Sequence, residues 1–153
     1  MVVTSLKLIF ALVVAGIVLY LAALSFLTRQ TPVKAEGERH LQPCPDKPNC
    51  VFSAATNPQH TIEALPLLDG NSEANWQRAV AAITQAGGQI VVDDGDYCHA
   101  VFTSTLFRFK DDVEMQRLDA EIAIRSASRA GTSDLGKNRQ RVERIRELYL
   151  TNK

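Results

Sequence analysis

The sequence predicts an α+β fold: an N-terminal transmembrane helix, then a two-layer sandwich of an antiparallel sheet with two helices. One observation is an uncharged apolar run over residues 8–27. The other is the order that follows it, a helix-type pattern, several strand-type runs with short connections, and a second helix-type pattern. Short connections favour antiparallel pairing, and two helices on one face of a sheet make two layers. We therefore divide the chain into an anchor at 1–28, a linker at 29–40 and a soluble domain at 41–153.

The apolar run Leu8–Leu27 is long enough to cross a bilayer. At 1.5 Å per residue it spans about 30 Å, which is the thickness of a bilayer core. No face of it carries a polar stripe, which disfavours a buried helix of a soluble protein. A cleaved signal sequence is the closer alternative. Its apolar core is normally about 7–15 residues and precedes a small-residue cleavage site, and this longer run has no such site after it. We expect an uncleaved, single-pass anchor.

The cysteines bear on the compartment of the domain. Cys44 and Cys50 bracket the segment CPDKPNC, whose prolines and turn formers limit its backbone freedom. A preorganised short loop holds two sulfurs within bridging distance, so we expect a disulfide, which indicates an oxidising compartment. Two alternatives stay open. One is a pair of unrelated free thiols. The other is a zinc site of His40, Cys44, Cys50 and Cys98 or His99, for which the cysteine spacing is a weak match.

The side of the membrane is predicted from these cysteines. Lys7 lies before the apolar run, and Arg29, Lys34 and Arg39 lie after it. This count slightly favours a cytoplasmic domain. We give more weight to the expected disulfide and place the domain on the extracytoplasmic, periplasmic side. Cys98 lies in a strand-type run and is expected to be a buried, reduced thiol. No metal site and no cofactor is predicted.

Helical patterns flank the strands of the domain. The first follows a possible strand over 61–65 and a capping residue at Ser72, with Trp76, Val80 and Ile83 at helical spacing. Gly87 and Gly88 end it. The last helix is expected over 135–150, where the apolar stripe is Leu135, Val142, Ile145 and Tyr149.

Two hairpins are predicted between these helices. Residues 89–92 form a β-branched run that turns at Asp94-Gly95 into the longest strand, 97–109. Alternation along that strand places Tyr97 and His99 on one face and Cys98 on the other. Runs at 113–117 and 121–128 form the second hairpin, which turns at Leu118-Asp119.

Charge is distributed unevenly over the domain. Residues 30–120 hold seven basic and thirteen acidic side chains, and residues 121–153 hold eight basic and four acidic ones. A basic part can face external anions, but we favour the interpretation that it faces the acidic part of its own domain. Because the domain is net acidic after the anchor, nucleic-acid binding is not supported.

Two polar segments contain the candidate site residues. They are Arg108–Glu114 and Arg125–Arg141. Pairing of the second hairpin brings Asp112 and Glu114 near Arg125, so we expect structural ion pairs there. An anion site is the functional interpretation: backbone N–H groups where a glycine-containing loop enters a helix favour a phosphate or lipid headgroup. Its candidate residues are Arg125, Arg129, Ser133 and Arg139.

A hydrolase-type enzyme using the Arg/Ser/Asp-rich loop 125–141 is the alternative function. Ser126, Ser128 and Ser133 are possible nucleophiles, and His40, His60 and His99 are possible bases. No G-x-S-x-G elbow, phosphate loop or dinucleotide motif is present. No reaction is therefore predicted.

Three segments resemble one known family. CPDKPNCV at 44–51, RFKDDVE at 108–114 and RSASRAGTSDLGKNRQR at 125–141 are similar, in order and approximate spacing, to the family catalogued as domain of unknown function 1499. The resemblance covers about residues 40–150. At Phe52 the sequence departs from the family, whose members often carry Ser there. The resemblance implies a small domain of bacterial and plastid-related proteins, often behind a membrane or export segment, and implies no activity, cofactor or catalytic residue. We expect a membrane-anchored envelope domain that binds an anionic ligand or a protein partner.

Overall fold

The structure is a computed structural model that describes residues 2–29, 39–68 and 70–151. Its first element, α1, is one continuous helix over Val2–Leu27. The segment Thr4–Leu27 has a mean hydropathy of 2.7 and is long and apolar enough to cross a membrane. The expected apolar helix is confirmed, and its retention as an anchor stays a prediction because a signal sequence has the same properties. Most of the expected linker lies outside the described residues.

The domain is built on a six-stranded sheet whose neighbouring strands are all antiparallel. The spatial order is β1-β6-β5-β4-β3, and β2 pairs with β6 beside β1. Both predicted hairpins, β3-β4 and β5-β6, are present. The strands are β1 Cys50–Phe52, β2 Leu65–Pro66, β3 Gln89–Asp93, β4 Tyr97–Thr103, β5 Lys110–Arg117 and β6 Glu121–Ser128.

Two helices cover one face of the sheet, which confirms the two-layer arrangement. They are α2, Ser72–Gln85, and α3, Lys137–Thr151. Their apolar stripes pack onto inward side chains of β4, β5 and β6 in a single core. The largest buried apolar side chains of that core are Trp76, Ile83, Met115, Ile122, Ile124, Ile145 and Tyr149.

Helix boundaries follow local hydrogen bonds. Asn71, and not Ser72, caps α2, because its side chain accepts the backbone N–H of Ala74. Gly87 ends the helix with φ 97, which favours glycine. The last helix begins two residues later than expected, because Leu135 has φ 56, outside the helical region. Leu135, expected in the apolar stripe of this helix, is 86% exposed and does not belong to the core, so that assignment was wrong.

The strand boundaries differ more from the predicted ones than the helix boundaries do. The long strand expected over 97–109 ends at Thr103, and residues 104–109 form a loop. The next strand begins at Lys110, three residues before the expected start. Of the strand expected over 61–65, Leu65 alone belongs to β2, although Thr61 forms an isolated bridge with Phe52.

The expected disulfide is confirmed. Cys44 and Cys50 are joined, and the bridge ties the segment that enters the domain to the first residue of β1. Cys98 is free and fully buried in the core. Burial, followed by the charges of Asp93 and Asp94, raises the pKa of the Cys98 thiol to about 12. A protonated buried thiol is a poor nucleophile, so Cys98 is a packing residue.

Candidate functional site

The two faces of the sheet carry different side chains. Side chains alternate along a strand. In β4, Cys98, Ala100 and Phe102 therefore face the helices and belong to the core. The opposite face carries a row of polar residues contributed by β4, β5, β6 and the residue just beyond β6. We call this row the polar ladder, and it consists of Tyr97, His99, Asp112, Glu114, Arg125 and Arg129.

Strand register assembles the polar ladder. His99 lies opposite Glu114, and Glu114 lies opposite Arg125. His99 is 4% exposed and Glu114 is 5% exposed, so these two side chains are closed to solvent although α2 and α3 lie on the other face of the sheet. Buried charges are costly unless they are paired and hydrogen-bonded.

Tyr97, Glu114 and Arg125 form one half of the ladder. The Tyr97 hydroxyl donates to Glu114 Oε1 over 2.6 Å, and Arg125 Nη1 donates to Glu114 Oε2 over 2.9 Å. Burial, then the hydrogen bond and charge of Glu114, raise the pKa of Tyr97 far above its ordinary value. Tyr97 therefore stays a neutral hydrogen-bond donor, and both oxygens of Glu114 are satisfied.

His99, Asp112 and Arg129 form the other half. Arg129 binds Asp112 in a bidentate manner, Nε to Oδ2 at 2.8 Å and Nη2 to Oδ1 at 2.6 Å. His99 Nε2 lies 2.7 Å from Oδ1 of the same carboxylate. Burial alone would raise the pKa of Asp112, but the hydrogen bonds from Arg129 and His99 outweigh it and lower that pKa to about 2. Asp112 is therefore ionised at physiological pH.

Arg129 also connects the ladder to α1. Its Nη1 donates to the carbonyl oxygen of Thr28, just past the end of α1, over 2.9 Å. Thr28 is 2% exposed and Ser25 is 5% exposed, whereas most of α1 is exposed. The carbonyl end of a helix favours a cation, because its last C=O groups lack partners within the helix. The ladder therefore binds the domain to the end of α1.

The segment that enters the domain lies at the other end of the ladder. Arg39 forms an ion pair with Asp94 at 3.0 Å, and the backbone N–H of Leu41 donates to Gln116 Oε1 at 3.4 Å. Gln116 lies opposite Tyr97 in the register. The polar face thus has Thr28 at one end and residues 39–41 at the other.

A second polar cluster lies on the helix side, where α3 begins. Asn138 is 1% exposed and donates from Nδ2 to the carbonyl of Asn49 at 2.9 Å and to Ser128 Oγ at 3.0 Å. Ser126 donates to Asn138 Oδ1 at 2.6 Å. These bonds fix the start of α3 against β6 and against the segment before β1.

Arg141 extends this cluster. Its Nη2 donates to Asp111 Oδ2 at 2.6 Å, and its guanidinium lies 4.8 Å from the centre of the Phe102 ring. Asp111 and Asp112 are adjacent on β5, so their side chains leave opposite faces of the sheet. Asp111 therefore binds Arg141 on the helix side, and Asp112 binds Arg129 in the ladder.

A cavity of about 250 Å³ lies between α1 and the domain. Its apolar part is formed by Leu21 and Leu24 of α1 and by Phe109. Its polar part is formed by lysines, hydroxyls, two aspartates and backbone of the loops after β4 and β6. These residues are Ser104, Lys110, Asp111, Ser128, Gly131, Ser133, Asp134 and Lys137.

The four residues of the expected anion site divide into two pairs. Ser133 and Arg139 line one cavity of about 230 Å³ beside Cys50, whereas the other two lie on the ladder face. Arg125 and Arg129 belong to the polar ladder and bind carboxylates. Arg139 projects from α3 and donates to the carbonyl of Gln59 at 3.1 Å. Ser133 is exposed and accepts the backbone N–H of Leu135 at 3.3 Å. Of the expected structural pairs, Arg125 binds Glu114, whereas Asp112 binds Arg129.

The serines and histidines of the hydrolase alternative are also separated. Ser126 and Ser128 face Asn138 on the helix side. His99 lies on the opposite face of the sheet, and His60 Nδ1 lies 2.9 Å from the carbonyl oxygen of Cys50. A nucleophile needs a base within hydrogen-bond reach, and this arrangement offers none to Ser126 or Ser128. Within residues 2–29, 39–68 and 70–151, no three His, Cys, Asp or Glu side chains are grouped to hold a metal ion.

Sequence reasoning missed several residues of these networks. It placed Tyr97 and His99 on one strand face without a partner, and it gave Asn138 and Arg141 no role. A signal was available for the ladder. The face with Tyr97 and His99 pairs in register with the face of β5 that carries Asp112 and Glu114. Once that register is known, the side-chain donors of β4 lie opposite the carboxylates of β5, and hydrogen bonds between them are expected.

A scan against protein-family models matches residues 40–148 to the family described as protein of unknown function DUF1499. The chain belongs to this family. The match begins at the segment that enters the domain and ends within α3, so the DUF1499 part holds the disulfide, all six strands and both networks, while α1 lies before it. No curated protein matches the chain.

Proposed function

We propose that the protein is a membrane-anchored domain on the extracytoplasmic side of the membrane, where it binds an anionic lipid headgroup between α1 and the domain. The cavity at this junction carries the headgroup proposal, because it joins leucines of the apolar helix to two lysines that form no ion pair among the described residues. The compartment and the headgroup rest on separate observations and have separate tests.

The disulfide supports the compartment. Disulfides persist in oxidising compartments and are rare in the cytoplasm, and Cys44 and Cys50 are bridged just after the linker. Peptide mapping without reductant, on protein isolated from native membranes with thiols blocked, is expected to recover Cys44 and Cys50 as one linked peptide. Free, alkylated thiols at both positions would instead place the domain in the cytoplasm.

The retained anchor has its own test. The mature N-terminus of the membrane-extracted protein is expected to precede residue 8, since the apolar segment is longer than a signal sequence needs. A mature chain that begins near Thr28 would contradict the anchor.

The charges of the cavity support an anionic ligand. The two lining aspartates are already engaged: Asp111 binds Arg141, and Asp134 accepts the backbone N–H groups of Gly136 and Asn138. The two lysines are not engaged in the same way. Lys137 Nζ lies 3.4 Å from Gln140 Oε1, and Lys110 forms no ion pair within the described ranges. Backbone hydrogen bonds do not neutralise Asp134. With Arg141 counted, two lysines and one arginine face two aspartates, so an excess of one positive charge lies next to hydroxyl groups.

The shape of the cavity supports a lipid over a soluble phosphate. Leu21, Leu24 and Phe109 line it on the side of α1. A membrane lipid has its charged phosphate next to apolar acyl chains and matches both parts of the lining. A free phosphate would leave the apolar part without a partner.

Native mass spectrometry of the full chain in detergent tests the headgroup site. We expect the parent to retain phosphatidylglycerol in preference to phosphatidylcholine. The double variant Lys110→Gln/Lys137→Gln should lose that preference, by on the order of 30-fold in affinity if each lysine contributes about 1 kcal/mol. Arg144→Gln/Arg146→Gln removes the same charge from the second half of α3 and should retain the lipid like the parent.

Two results would contradict the proposal. One is equal retention of phosphatidylglycerol by both double variants, which would show that the lysines do not hold the headgroup. The other is a thermal midpoint that glycerol phosphate or inorganic phosphate raises as much as the anionic lipid does. That second result would identify a soluble phosphate ligand in place of a lipid.

A further inference from the structure

Two loops of the domain expose leucines to an unusual degree. Leu106, between β4 and β5, is 80% exposed, and Leu135, between β6 and α3, is 86% exposed. Among the described residues beyond α1, the next most exposed large apolar side chain is Leu118, at 44%. Exposed apolar side chains of this size, when they cluster, mark contact with a membrane or another macromolecule.

The β4-β5 loop is a formed structure and not a frayed end. The backbone N–H of Ser104 donates to the carbonyl of Phe109 at 2.8 Å, and the backbone N–H of Phe109 donates back to Ser104 Oγ at 2.9 Å. The rings of Phe107 and Phe109 lie 5.8 Å apart between their centres. The loop thus presents Leu106 beside two aromatic rings at a fixed turn.

Both loops lie beside α1 at the level of its last turns. Ser104 and Phe109 from one loop line the same cavity as Ser133 from the other, together with Leu21 and Leu24. Leu24 and Leu21 precede the last residue of α1 by three and six residues, which is about 5–9 Å along the helix axis. If α1 spans the bilayer, these leucines lie within its apolar core or at its boundary. The loops that share a cavity with them are then at the membrane surface.

The charges of the loops suit the same location. Arg108 and Lys110 flank the aromatic rings, and Lys137 follows Leu135 closely in the chain. Basic residues beside aromatic and aliphatic side chains are typical of the interface between lipid headgroups and acyl chains. A protein partner gives no comparable reason for the loops to lie beside an apolar helix.

We propose that the β4-β5 loop and the β6-α3 loop dock into the outer part of the bilayer that α1 crosses, with Leu106 and Leu135 as the inserted side chains. The domain then lies against the membrane and is not held away from it by the linker. This contact goes beyond the headgroup site, because it depends on the apolar tips and does not need Lys110 or Lys137.

Quenching of tryptophan fluorescence by brominated lipids tests the docking in the full chain reconstituted into phosphatidylglycerol–phosphatidylcholine vesicles. Trp76 is the one tryptophan of the chain and is 2% exposed, so it gives the baseline. We expect Leu106→Trp and, separately, Leu135→Trp to add emission that lipids brominated on the acyl chain quench at least twofold. Leu118→Trp is the matched control, because its turn lies at the opposite end of β5. It should add emission that these lipids leave unchanged.

Two outcomes would overturn the docking. In the first, Leu106→Trp and Leu135→Trp are no more quenched than Leu118→Trp. In the second, the emission of the two loop tryptophans is shifted to the blue without lipid quenching, which would indicate burial against a second copy or another protein. Retention of the lipid by Lys110→Gln/Lys137→Gln would contradict the headgroup site and would leave this quenching test unaffected, so the two proposals fail separately.

Discussion

The two faces of the sheet are closed by different interactions. The face toward α2 and α3 buries an apolar core around Trp76, Met115 and Ile124. The face that reaches α1 buries charge, and the side chains of Glu114 and Arg125 are 6% and 12% exposed. Apolar burial stabilises roughly in proportion to area, whereas the attraction within a buried ion pair is largely offset by desolvation. The first face therefore accounts for most of the stability of the domain.

This difference indicates what the polar ladder does. A face that needed only to be closed could be closed by apolar residues at similar stability. The ladder instead keeps a row of donors and acceptors, and one of them, Arg129, binds the carbonyl of Thr28. An apolar surface would not recognise a helix end, because the free carbonyl groups there need donors. We infer that the ladder makes the position of α1 on the domain specific.

The largest expected effect comes from breaking one pair of the ladder. Arg125→Ala leaves Glu114 as a buried carboxylate without its cation, which costs about 3–5 kcal/mol. Denaturant unfolding of the full chain in detergent measures the loss. Arg146→Ala removes an arginine whose side chain is 33% exposed and whose partner Glu63 is 75% exposed, and should cost about 0–1 kcal/mol. Equal stability of Arg125→Ala and the parent would show that the ladder is not a closed electrostatic network.

A smaller loss of unfolding free energy is expected at low pH. The pKa of Asp112 is lowered to about 2 in the folded protein, below its ordinary value of about 3.9. Its contribution is therefore fully present above pH 4 and is lost as pH falls from about 4 to 2. The shift corresponds to about 2–3 kcal/mol. Unfolding free energies of the parent and of Asp112→Asn, measured from pH 6 to pH 2, should differ in slope over that window. Identical slopes would contradict the pairing of Asp112.

On the helix side of the sheet, the unfolding free energy should depend on the volume of the buried side chains and not on pH. Ile124 is fully buried in the core, and Ile124→Val removes one methyl group at a cost of about 0.5–1.5 kcal/mol. The loss should be the same at pH 7 and at pH 4, because no titratable group pairs with this side chain. A pH-dependent loss would mean that the two faces are energetically coupled through β6.

The smallest net change is expected when one half of the ladder is replaced as a unit. Tyr97→Phe/Glu114→Leu/Arg125→Met removes all three polar groups together and leaves none of them unpaired. Such replacements are often neutral or stabilising, so the unfolding free energy should stay within about 1 kcal/mol of the parent. A loss as large as that of Arg125→Ala would show that the charges contribute net stability and would remove the contrast between the faces.

Sequence patterns were sufficient for the apolar side of the molecule. Helical spacing from Trp76 to Ile83, alternation in the strands and the prolines around Cys44 depend on local chemistry. The helices, hairpins and disulfide predicted from them are present. The exceptions are local as well. Arg108 and Leu135 adopt positive φ values of 58 and 56, and no residue type near them in the sequence predicted this backbone conformation.

The polar side was predictable only in part. The short connection of the second hairpin predicted that Arg125 lies near Asp112 and Glu114. It did not predict which carboxylate Arg125 binds, because Asp112 is taken by Arg129, which lies beyond the end of β6. The position of Arg139 depends on a contact with Gln59, eighty residues away. Periodicity assigns a side chain to a face, but it does not reveal which distant segment lies against that face.

Site-specific photo-crosslinking tests the contact between α1 and the domain most directly. A photoactivatable phenylalanine replaces Leu24 in the full chain, and the cells are irradiated with their membranes intact. We predict crosslinks within the same chain to peptides that contain residues 104–110 or 131–137, because these segments share the cavity with Leu24. The same probe at Leu12, 64% exposed and in the middle of α1, should yield lipid adducts alone. If Leu24 also gave only lipid adducts, the anchor would not be docked on the domain.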